Sequence, residues 1–305
     1  MGVMFTHALE VKNLVMTYGD RTVVDDVSFS VESGRIAVIL GPNGAGKTTT
    51  VESCEGLRTP TSGTITVLGR DRVSEDAEIR ERVGVMLQDG GLPQAVKAGT
   101  VLTHISRLHR NPRSVDELLD LLALREHANT KVRHLSGGQR QRLSLACALV
   151  GNPELVFLDE PSAGMDPASR RTMHAIVRDL ADSGTTVVLT THQMDEAEAL
   201  ADQVIVMRGG HIIADGPADG LLGGRSIWIE SDSAAQIESL LTGALPGFRS
   251  RIRDSYLEMY RDGAATTEDL GRVAAVLTDH GILDVSVALR ARSLEDLYFD
   301  LVETV

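Results

Sequence analysis

Residues 41–48, which read Gly-Pro-Asn-Gly-Ala-Gly-Lys-Thr, constrain the fold of this chain more than any other segment. An apolar run rich in β-branched residues, at positions 35–40, precedes them, and residues 48–55 can open a helix. In that order of strand, glycine-rich loop and helix, successive backbone N–H groups and the helix N-terminus converge on a phosphate group. A glycine turn joining a strand to a helix is the alternative interpretation. The spacing of the glycines, lysine and threonine favours nucleotide binding.

The side chains of this loop have predicted roles of their own. Lys47 would reach the β- and γ-phosphates of a nucleotide, and the Thr48 hydroxyl would bind Mg²⁺. The glycines are needed because Cβ atoms would obstruct the approach of the phosphates to the backbone. The predicted nucleotide-binding residues of the segment are Gly41, Pro42, Asn43, Gly44, Ala45, Gly46, Lys47, Thr48 and Thr49.

Two carboxylates follow a second apolar run. Residues 155–158 are typical of a buried strand, and Asp159 and Glu160 come directly after them. In a parallel sheet the strand ends open into the ligand-binding crevice. Asp159 is suited to Mg²⁺, directly or through water, and Glu160 to orienting and deprotonating an attacking water. Taken alone, such a pair of carboxylates could equally well cap a helix. Together with the phosphate loop, it favours a hydrolytic site.

A second unusual loop reads Leu-Ser-Gly-Gly-Gln at positions 135–139. Its small residues expose backbone N–H groups at the start of a helix predicted to run to Val150, so the positive end of the helix dipole is presented to whatever lies opposite. Arg140 and Arg142 oppose that dipole unless an anion is near. We expect these two arginines to be solvated or to pair elsewhere.

Length and charge limit the kind of protein. At 305 residues the chain is long enough for two domains, and its net charge of −13 argues against a nucleic-acid or anionic-lipid surface. No apolar run approaches the roughly 18 residues of a membrane-spanning helix, and the N-terminus does not resemble a signal peptide. We therefore expect a cytosolic protein in which Cys54 and Cys147 are reduced core residues.

Hydrophobic patterning divides the chain further. Residues 9–16 and 23–31 alternate as a hairpin would, and residues 63–68 form a third strand. Residues from about 92 to 124 are predicted to be helical, and residues 114–117, beginning with Ser114, resemble a capped helix start within that stretch. Later strands lack alternation and are separated by helices, which predicts a parallel sheet covered on both faces. We expect these strands at positions 155–158 and 186–191, a helix at 168–182, and a hairpin at 203–215.

The C-terminal part has a different order of elements. Residues 216–217 and 220–224 form a predicted linker, after which the strands and helices follow the β-α-β-β-α-β order of ferredoxin-like folds, with the last strand at 283–289. We therefore predict an ATP-binding domain at residues 1–220, with a helical subdomain at about 90–150, and a small α+β domain at residues 221–305.

These motifs together resemble the ATP-binding cassette (ABC) ATPases of membrane transporters. The matching segments lie between residues 9 and 217: the phosphate loop, the family's signature at 135–139, the strand and carboxylates at 155–160, and the loop at 163–166. Gln88 looks like the family's glutamine loop and His192 like its switch histidine. The resemblance implies a P-loop NTPase (RecA-like) α/β core with an antiparallel β subdomain and a helical subdomain, acting on ATP with Mg²⁺.

The resemblance also implies a homodimer joined head to tail. Ser136 and Gly138 of one chain would contact the γ-phosphate held by Lys47 of the other, and Asp166 would reach across the dimer. The nucleotide-binding residues that the resemblance implies on this side are Ser136, Gly137, Gly138, Gln139 and Asp166. Glu160, His192 and Gln88 would be catalytic, and Thr48, Asp159 and Gln88 would bind Mg²⁺. Tyr18 would stack on adenine; alternatively, it is an ordinary aromatic residue of the hairpin. His192 could alternatively be a core histidine whose hydrogen bonds are satisfied within the protein.

The last residues indicate a subtype. Residues 291–298 resemble the ending of ATPases in the drug-resistance (daunorubicin-type) and polysaccharide exporter branch; a terminal amphipathic helix capped by Ser293 is the alternative. This resemblance implies an ATPase at the inner face of the membrane that powers a separate exporter permease for drugs, antibiotics or similar compounds. The alternatives are an importer ATPase with a C-terminal sensor domain and a soluble ATPase switch not coupled to transport.

Overall fold

The computed structural model describes residues 6–87, 91–221, 224–253, 256–261, 263–291 and 293–303. Backbone contacts divide the chain into two compact units, residues 1–217 and 218–305. Within the described ranges, no helix is both long and apolar enough to cross a bilayer.

The first unit alternates strands and helices along the chain. Its strands are β1 His7–Tyr18, β2 Arg21–Glu32, β3 Ile36–Leu40, β4 Ser62–Val67, β5 Arg70–Asp71, β6 Val83–Met86, β7 Leu155–Asp159, β8 Thr186–Thr191, β9 Gln203–Arg208 and β10 His211–Pro217. Its helices are α1 Lys47–Glu55, α2 Asp76–Arg80, α3 Ala98–Ser106, α4 Val115–Leu121, α5 Gly137–Leu149, α6 Pro167–Asp182 and α7 Met194–Leu200.

Two sheets organise this unit. The hairpin of β1 and β2 extends into a four-stranded antiparallel sheet in the order β2-β1-β4-β5. The second sheet has the order β10-β9-β3-β8-β7-β6, in which all neighbours are parallel except β10 and β9. Every residue of β3, β7 and β8 is buried, which explains why these strands show no alternation in the sequence. The predicted parallel sheet is confirmed.

The helical segment lies between β6 and β7. Helices α3 and α4 both pack with α5. The Ser114 hydroxyl accepts a hydrogen bond from the Glu117 backbone N–H at 3.4 Å, so the predicted helix cap is present. Cys54 is buried as expected, whereas Cys147 is only half-buried on α5, and both thiols are free.

The second unit is a separate α+β layer structure. Its elements are α8 Ala218–Leu221, β11 Arg225–Glu230, α9 Ala234–Ala244, β12 Arg249–Arg253, β13 Tyr256–Tyr260, α10 Thr267–Asp279, β14 Ser286–Ala291 and α11 Leu294–Glu303. The strands form one antiparallel sheet in the order β12-β13-β11-β14. Ile227 and Leu257 on this sheet share a buried core with Leu241 of α9 and Val273 of α10.

Two boundaries differ from the sequence prediction. Gly216 and Pro217, predicted as linker, lie in β10 and pair with Val204 and Gln203, because Pro at an edge strand leaves the ladder intact. The last strand was predicted to begin at residue 283 but begins at Ser286, where its pairing with β11 begins. Part of the predicted linker, residues 222–223, lies outside the described residues.

Candidate functional site

The site is built where three neighbouring parallel strands end. β3 pairs with β8 and β8 with β7, so their carboxyl ends meet at one edge of the sheet. The phosphate loop follows β3, Glu160 follows β7 and His192 follows β8. Sequence positions far apart are thus brought together by the register of the strands.

The phosphate loop depends on glycine at specific places. A Cβ atom at Gly41 would lie 2.3 Å from the Met207 carbonyl oxygen, and Gly46 has a φ of 101°, in the left-handed region. Gly46 is followed directly by α1, so the N-terminus of that helix faces the loop. The Lys47 ammonium is buried and donates to the carbonyl oxygens of Gly41 at 2.8 Å and Pro42 at 3.2 Å.

The loop borders an open cavity of about 340 Å³. Its lining residues are Val23, Asn43, Gly44, Ala45, Gly46, Lys47, Thr48, Thr49 and Glu160. The cavity therefore combines the predicted phosphate-binding residues with the predicted general base. Val23 of β2 was not predicted to lie there; its position depends on how the antiparallel sheet meets the loop, and no local pattern indicates it.

Asp159, the last residue of β7, does not line this cavity. It is 6% exposed, and its carboxylate accepts a hydrogen bond from the Thr190 hydroxyl. The same Thr190 accepts from the Glu160 backbone N–H at 3.2 Å with its hydroxyl, and its carbonyl accepts from that N–H at the same distance. Thr190, which sequence reasoning missed, therefore ties both carboxylate positions to β8.

Glu160 and His192 face each other directly. His192 Nδ1 lies 2.9 Å from Glu160 Oε1. Glu160 has a φ of 46°, which a non-glycine residue rarely adopts and which costs on the order of 1–3 kcal/mol. Backbone strain of this kind persists where the surrounding structure fixes a side chain in place.

The charges at the cavity perturb one another. Burial lowers the pKa of the Lys47 ammonium, although Glu160 and Asp159 act in the opposite direction. Burial is also the main cause that raises the pKa of Asp159, and Glu160 adds to it, while the Thr190 hydroxyl and Lys47 oppose it. The charges of Lys47, Asp159 and Glu160 therefore influence one another.

The donor set fits Mg²⁺. Thr48 lines the cavity with an exposed hydroxyl, and Asp159 supplies a carboxylate, both of which are hard oxygen ligands. Magnesium keeps several waters and uses few protein ligands when a phosphate is also present, so a large carboxylate cluster is not required. In the part of the chain that the structure describes, no three or more His, Cys, Asp or Glu side chains are grouped so that they could hold a metal ion by themselves.

The second glycine loop begins a helix and lies apart from the cavity. The Ser136 hydroxyl accepts from the Gln139 N–H at 3.2 Å, and Gln139 Oε1 accepts from the Ser136 N–H at 2.9 Å, which makes a capping box. Gly137 is exposed, and a Cβ atom at Gly138 would lie 3.2 Å from the Ser169 hydroxyl. Neither the loop nor its helix lines the cavity of the same chain.

The two arginines after this loop pair with backbone carbonyls. Arg140 donates to the Leu135 carbonyl at 2.6 Å, and Arg142 donates to the Leu122 carbonyl at 3.1 Å. The expectation that they pair elsewhere is therefore met, and no bound anion is needed to explain their position.

Asp166 and Tyr18 have structural contacts of their own. Asp166 caps α6 by accepting from the N–H groups of Ala168 and Ser169, each at 3.0 Å. Tyr18 is 43% exposed, and the Arg58 guanidinium lies 5.4 Å from the centre of its ring. Neither side chain lines the cavity. Gln88 lies outside the described residues.

A buried carboxylate behind the loop was also missed by sequence reasoning. Glu55, at the end of α1, is 6% exposed, and both its oxygens lack a hydrogen-bond partner in the described part of the chain. Burial, with Asp159 and Glu52 nearby, raises the pKa of Glu55 to about 8, against the effect of Arg72. No sequence pattern distinguishes this glutamate from an exposed one.

Comparison with known proteins places this geometry among nucleotide-binding subunits. The ABC transporter family matches residues 24–163. The daunorubicin resistance ATP-binding protein DrrA3 of Streptomyces coeruleorubidus is 36% identical, over 96% of this chain and 95% of that protein. The Nod factor export ATP-binding protein I of Cupriavidus metallidurans is 33% identical, over 97% of each chain.

Solved structures agree with this assignment. An ATP-binding subunit of an ABC transporter superposes with a TM-score of 0.64 at 26% identity, covering 70% of this chain and 91% of that one. A bacterial ABC transporter cassette, solved as a dimer, superposes with a TM-score of 0.63 at 25% identity, covering 68% of this chain and 98% of that one. The predicted P-loop NTPase fold is confirmed.

Proposed function

The chain belongs to the ABC transporter family, and from this membership we propose that it hydrolyses ATP as the nucleotide-binding subunit of an exporter whose membrane-spanning permease is a separate protein. The observation that carries the proposal is the contact of 2.9 Å between Glu160 and His192 at the edge of a cavity lined by the phosphate loop. In this proposal, the Glu160 carboxylate would act on a water next to a bound γ-phosphate.

Export is supported by the relatives that match the whole chain. One is named for resistance to daunorubicin and another for export of Nod factor, and both alignments extend over the second unit as well as the first. We therefore assign this chain to export of drugs, antibiotics or similar compounds. The cargo itself would contact the permease, so its identity is set by that subunit.

The chemistry assigned to this chain is hydrolysis of the β–γ phosphoanhydride bond. Backbone N–H groups of the loop and the Lys47 ammonium would hold the phosphates, and Glu160 would take a proton from the attacking water. Water oxygen bonds to the γ-phosphorus as the bridging oxygen leaves with ADP. His192 would keep the Glu160 carboxylate in place, and Thr48 and Asp159 would hold Mg²⁺. When bound, Mg²⁺ neutralises charge on the β- and γ-phosphates.

A complete site is proposed to need two copies of the chain. Ser136 and Asp166 do not line the cavity of their own chain, and each sits at the exposed N-terminus of a helix. A head-to-tail homodimer would bring them to the γ-phosphate held by the partner's loop. One of the similar solved structures is a dimer, which supports a dimeric chain.

The permease is proposed to dock beside the helical segment. An apolar cavity of about 420 Å³ is lined by Gly91, Leu92, Pro93, Val96, Thr100, Val101, His104 and Ile105. Its first lining residue, Gly91, comes three positions after Gln88 in the sequence, and the family resemblance implies that Gln88 passes the nucleotide state to a membrane subunit. The chain would then be cytoplasmic and held at the inner face of the membrane through that partner.

Purification from membranes in mild detergent tests the proposal. We expect a multi-spanning protein to accompany the chain, and ATP hydrolysis to require Lys47 while the association does not. Thr100→Arg, at the exposed rim of the apolar cavity, should release the permease but leave the fold intact. Association with a ribosome or with DNA would favour a soluble ATPase switch, and a surface substrate-binding protein among the partners would favour an importer.

A further inference from the structure

The hairpin of β1 and β2 brings an exposed aromatic ring close to the phosphate-loop cavity. Tyr18 is the last residue of β1 and pairs with Arg21 across the hairpin. Val23, two positions further along β2, lines the cavity. Because a strand rises about 3.3 Å per residue, this separation is about 7 Å along the strand. Tyr18 is 43% exposed, so part of its side chain is open to a ligand.

The Arg58 guanidinium links this ring to the helix that follows the phosphate loop. It lies over the Tyr18 ring, 5.4 Å from the ring centre, and its Nε donates a hydrogen bond to the Glu52 carboxylate on α1. Both partners of the ion pair are partly exposed, the Arg58 side chain by 40% and that of Glu52 by 24%. A single side chain therefore contacts both the end of β1 and α1.

The backbone around Arg58 joins the same two elements. The Arg58 N–H donates to the Glu52 carbonyl at 3.2 Å, and the Thr61 N–H donates to the Val15 carbonyl at 2.9 Å. The Thr61 hydroxyl accepts from the Thr17 N–H at 3.0 Å. The segment that begins with Arg58 is thus fixed to α1 at its start and to β1 at its end, and the position of the guanidinium follows from both.

The same helix carries the proposed phosphate-binding lysine. α1 begins at Lys47, directly after Gly46 of the phosphate loop, and Glu52 lies five positions further along the helix. A nucleotide has its base and its phosphates at opposite ends, so both ends must fit the protein at once. Because a helix positions its side chains more precisely than a loop does, the contacts of Arg58 with Glu52 and Tyr18 fix the ring relative to Lys47.

These contacts restrict the ring more than they stabilise the fold. A partly exposed ion pair contributes little to stability, because solvent screens the charges and both side chains lose conformational freedom. A guanidinium over an aromatic face is attracted electrostatically by the ring, which limits the orientations that an exposed tyrosine can adopt. The main consequence of the position of Arg58 is therefore a defined orientation of the Tyr18 ring.

We propose that Arg58 is a positioning residue for the purine base of the nucleotide: it covers one face of the Tyr18 ring and holds the opposite face toward the bound adenine. The inference rests on the proposed function, because it presumes that the chain binds ATP with the base against Tyr18. Aromatic rings stack in an offset arrangement, so the orientation of Tyr18 decides how much of the base it covers. Glu52 contributes by keeping the guanidinium over the ring.

Steady-state kinetics on the full chain separate binding of the base from binding of the phosphates. Arg58→Ala should raise the KM for ATP on the order of threefold with kcat changed less than about twofold, since a contact made equally in the ground state and the transition state is lost. Inorganic triphosphate, which has no base, should inhibit this variant with the same inhibition constant as the wild type. Glu52→Gln should also raise the KM for ATP, because the guanidinium is then held less firmly over the ring.

Removal of the ring tests whether Arg58 acts through it. Tyr18→Ala should raise the KM for ATP at least as much as Arg58→Ala does, and Arg58→Ala should have little further effect in the Tyr18→Ala background. Arg125→Ala is the matched control, because Arg125 is also partly exposed but pairs with Asp116 and Asp120 of α4. The KM of this control should equal that of the wild type. Thermal unfolding midpoints separate a change in KM from loss of fold.

Several outcomes would overturn the inference. They are an unchanged or lower KM for ATP in Arg58→Ala, an equal loss of affinity for ATP and for inorganic triphosphate, and an effect of Arg58→Ala that persists in full without the Tyr18 ring. A wild-type chain that neither binds nor hydrolyses ATP would overturn the proposed function itself. ATP hydrolysis that requires Lys47, with a KM that does not depend on Arg58, overturns the positioning role alone.

Discussion

His192 Nδ1 lies 2.9 Å from Glu160 Oε1, although 32 positions separate the two residues in the chain. The contact arises because β7 and β8 are parallel neighbours whose register pairs Asp159 with Thr190. The residues that follow the two strand ends are then adjacent. A histidine in this place can hold the carboxylate toward the phosphate loop, which is why the pair carries the proposed function.

Replacement of Glu160 should separate binding from turnover. Glu160→Gln keeps the size of the side chain but removes the proton acceptor, so we expect kcat for ATP hydrolysis to fall about 100-fold or more. ATP affinity should be retained. Phosphate release and nucleotide binding measure the two effects, with exposed Glu268→Gln on α10 as the control. Turnover at the wild-type rate would remove Glu160 from the mechanism.

Replacement of Lys47 should affect the binding of the nucleotide, which precedes its hydrolysis. Its ammonium is buried in the phosphate loop and is the cation of the cavity lining, so Lys47→Ala should abolish ATP binding or turnover. Equilibrium binding of a fluorescent ATP analogue checks this. The control is Lys12→Ala, which replaces an exposed lysine of β1 outside the cavity. Unchanged ATPase activity of the Lys47 variant would refute the phosphate-loop assignment.

Two glycine substitutions should have opposite effects on stability. Gly41→Ala would place a methyl group 2.3 Å from the Met207 carbonyl oxygen, so the loop must shift, and we expect a lower free energy of unfolding together with loss of nucleotide binding. Gly271→Ala lies within α10 with open space around it and should stabilise the protein by about 0.5–1 kcal/mol, because alanine favours the helix. Urea unfolding measures both; a destabilising Gly271→Ala would contradict the helix.

The buried Glu55 should make stability depend on pH. Its pKa is raised to about 8, so between about pH 4.5 and 8 the folded chain keeps a proton that the unfolded chain has lost. The contribution of Glu55 to the free energy of unfolding is therefore largest at low pH and decreases as the pH rises through that window. Glu55→Gln should remove the dependence, so that its stability gain over the wild type is larger at pH 8 than at pH 5. Urea unfolding at both pH values measures the gain in the free energy of unfolding. An equal gain at the two pH values would refute burial of the Glu55 charge.

Local sequence predicted much of the fold and part of the site. The phosphate loop, the buried strands and the capped start of α4 could be identified because each depends on residues close together in the chain. The predicted linker at residues 216–217 was wrong because glycine and proline also occur in an edge strand, and strand β14 begins later than its apolar pattern indicated. The roles of the site residues stay predictions.

The sequence by itself determined that the chain holds a phosphate loop and belongs to a transport ATPase family. The glycine-rich loop and the apolar strands can be recognised because each depends on residues that are close together in the chain. The tertiary structure alone decided that Glu160 meets His192 and that Thr190 ties Asp159 to β8. The burial of Glu55 and the position of the Arg58 guanidinium over the Tyr18 ring are also features of the tertiary structure. These contacts follow from strand register and helix packing, which join residues that no sequence spacing connects.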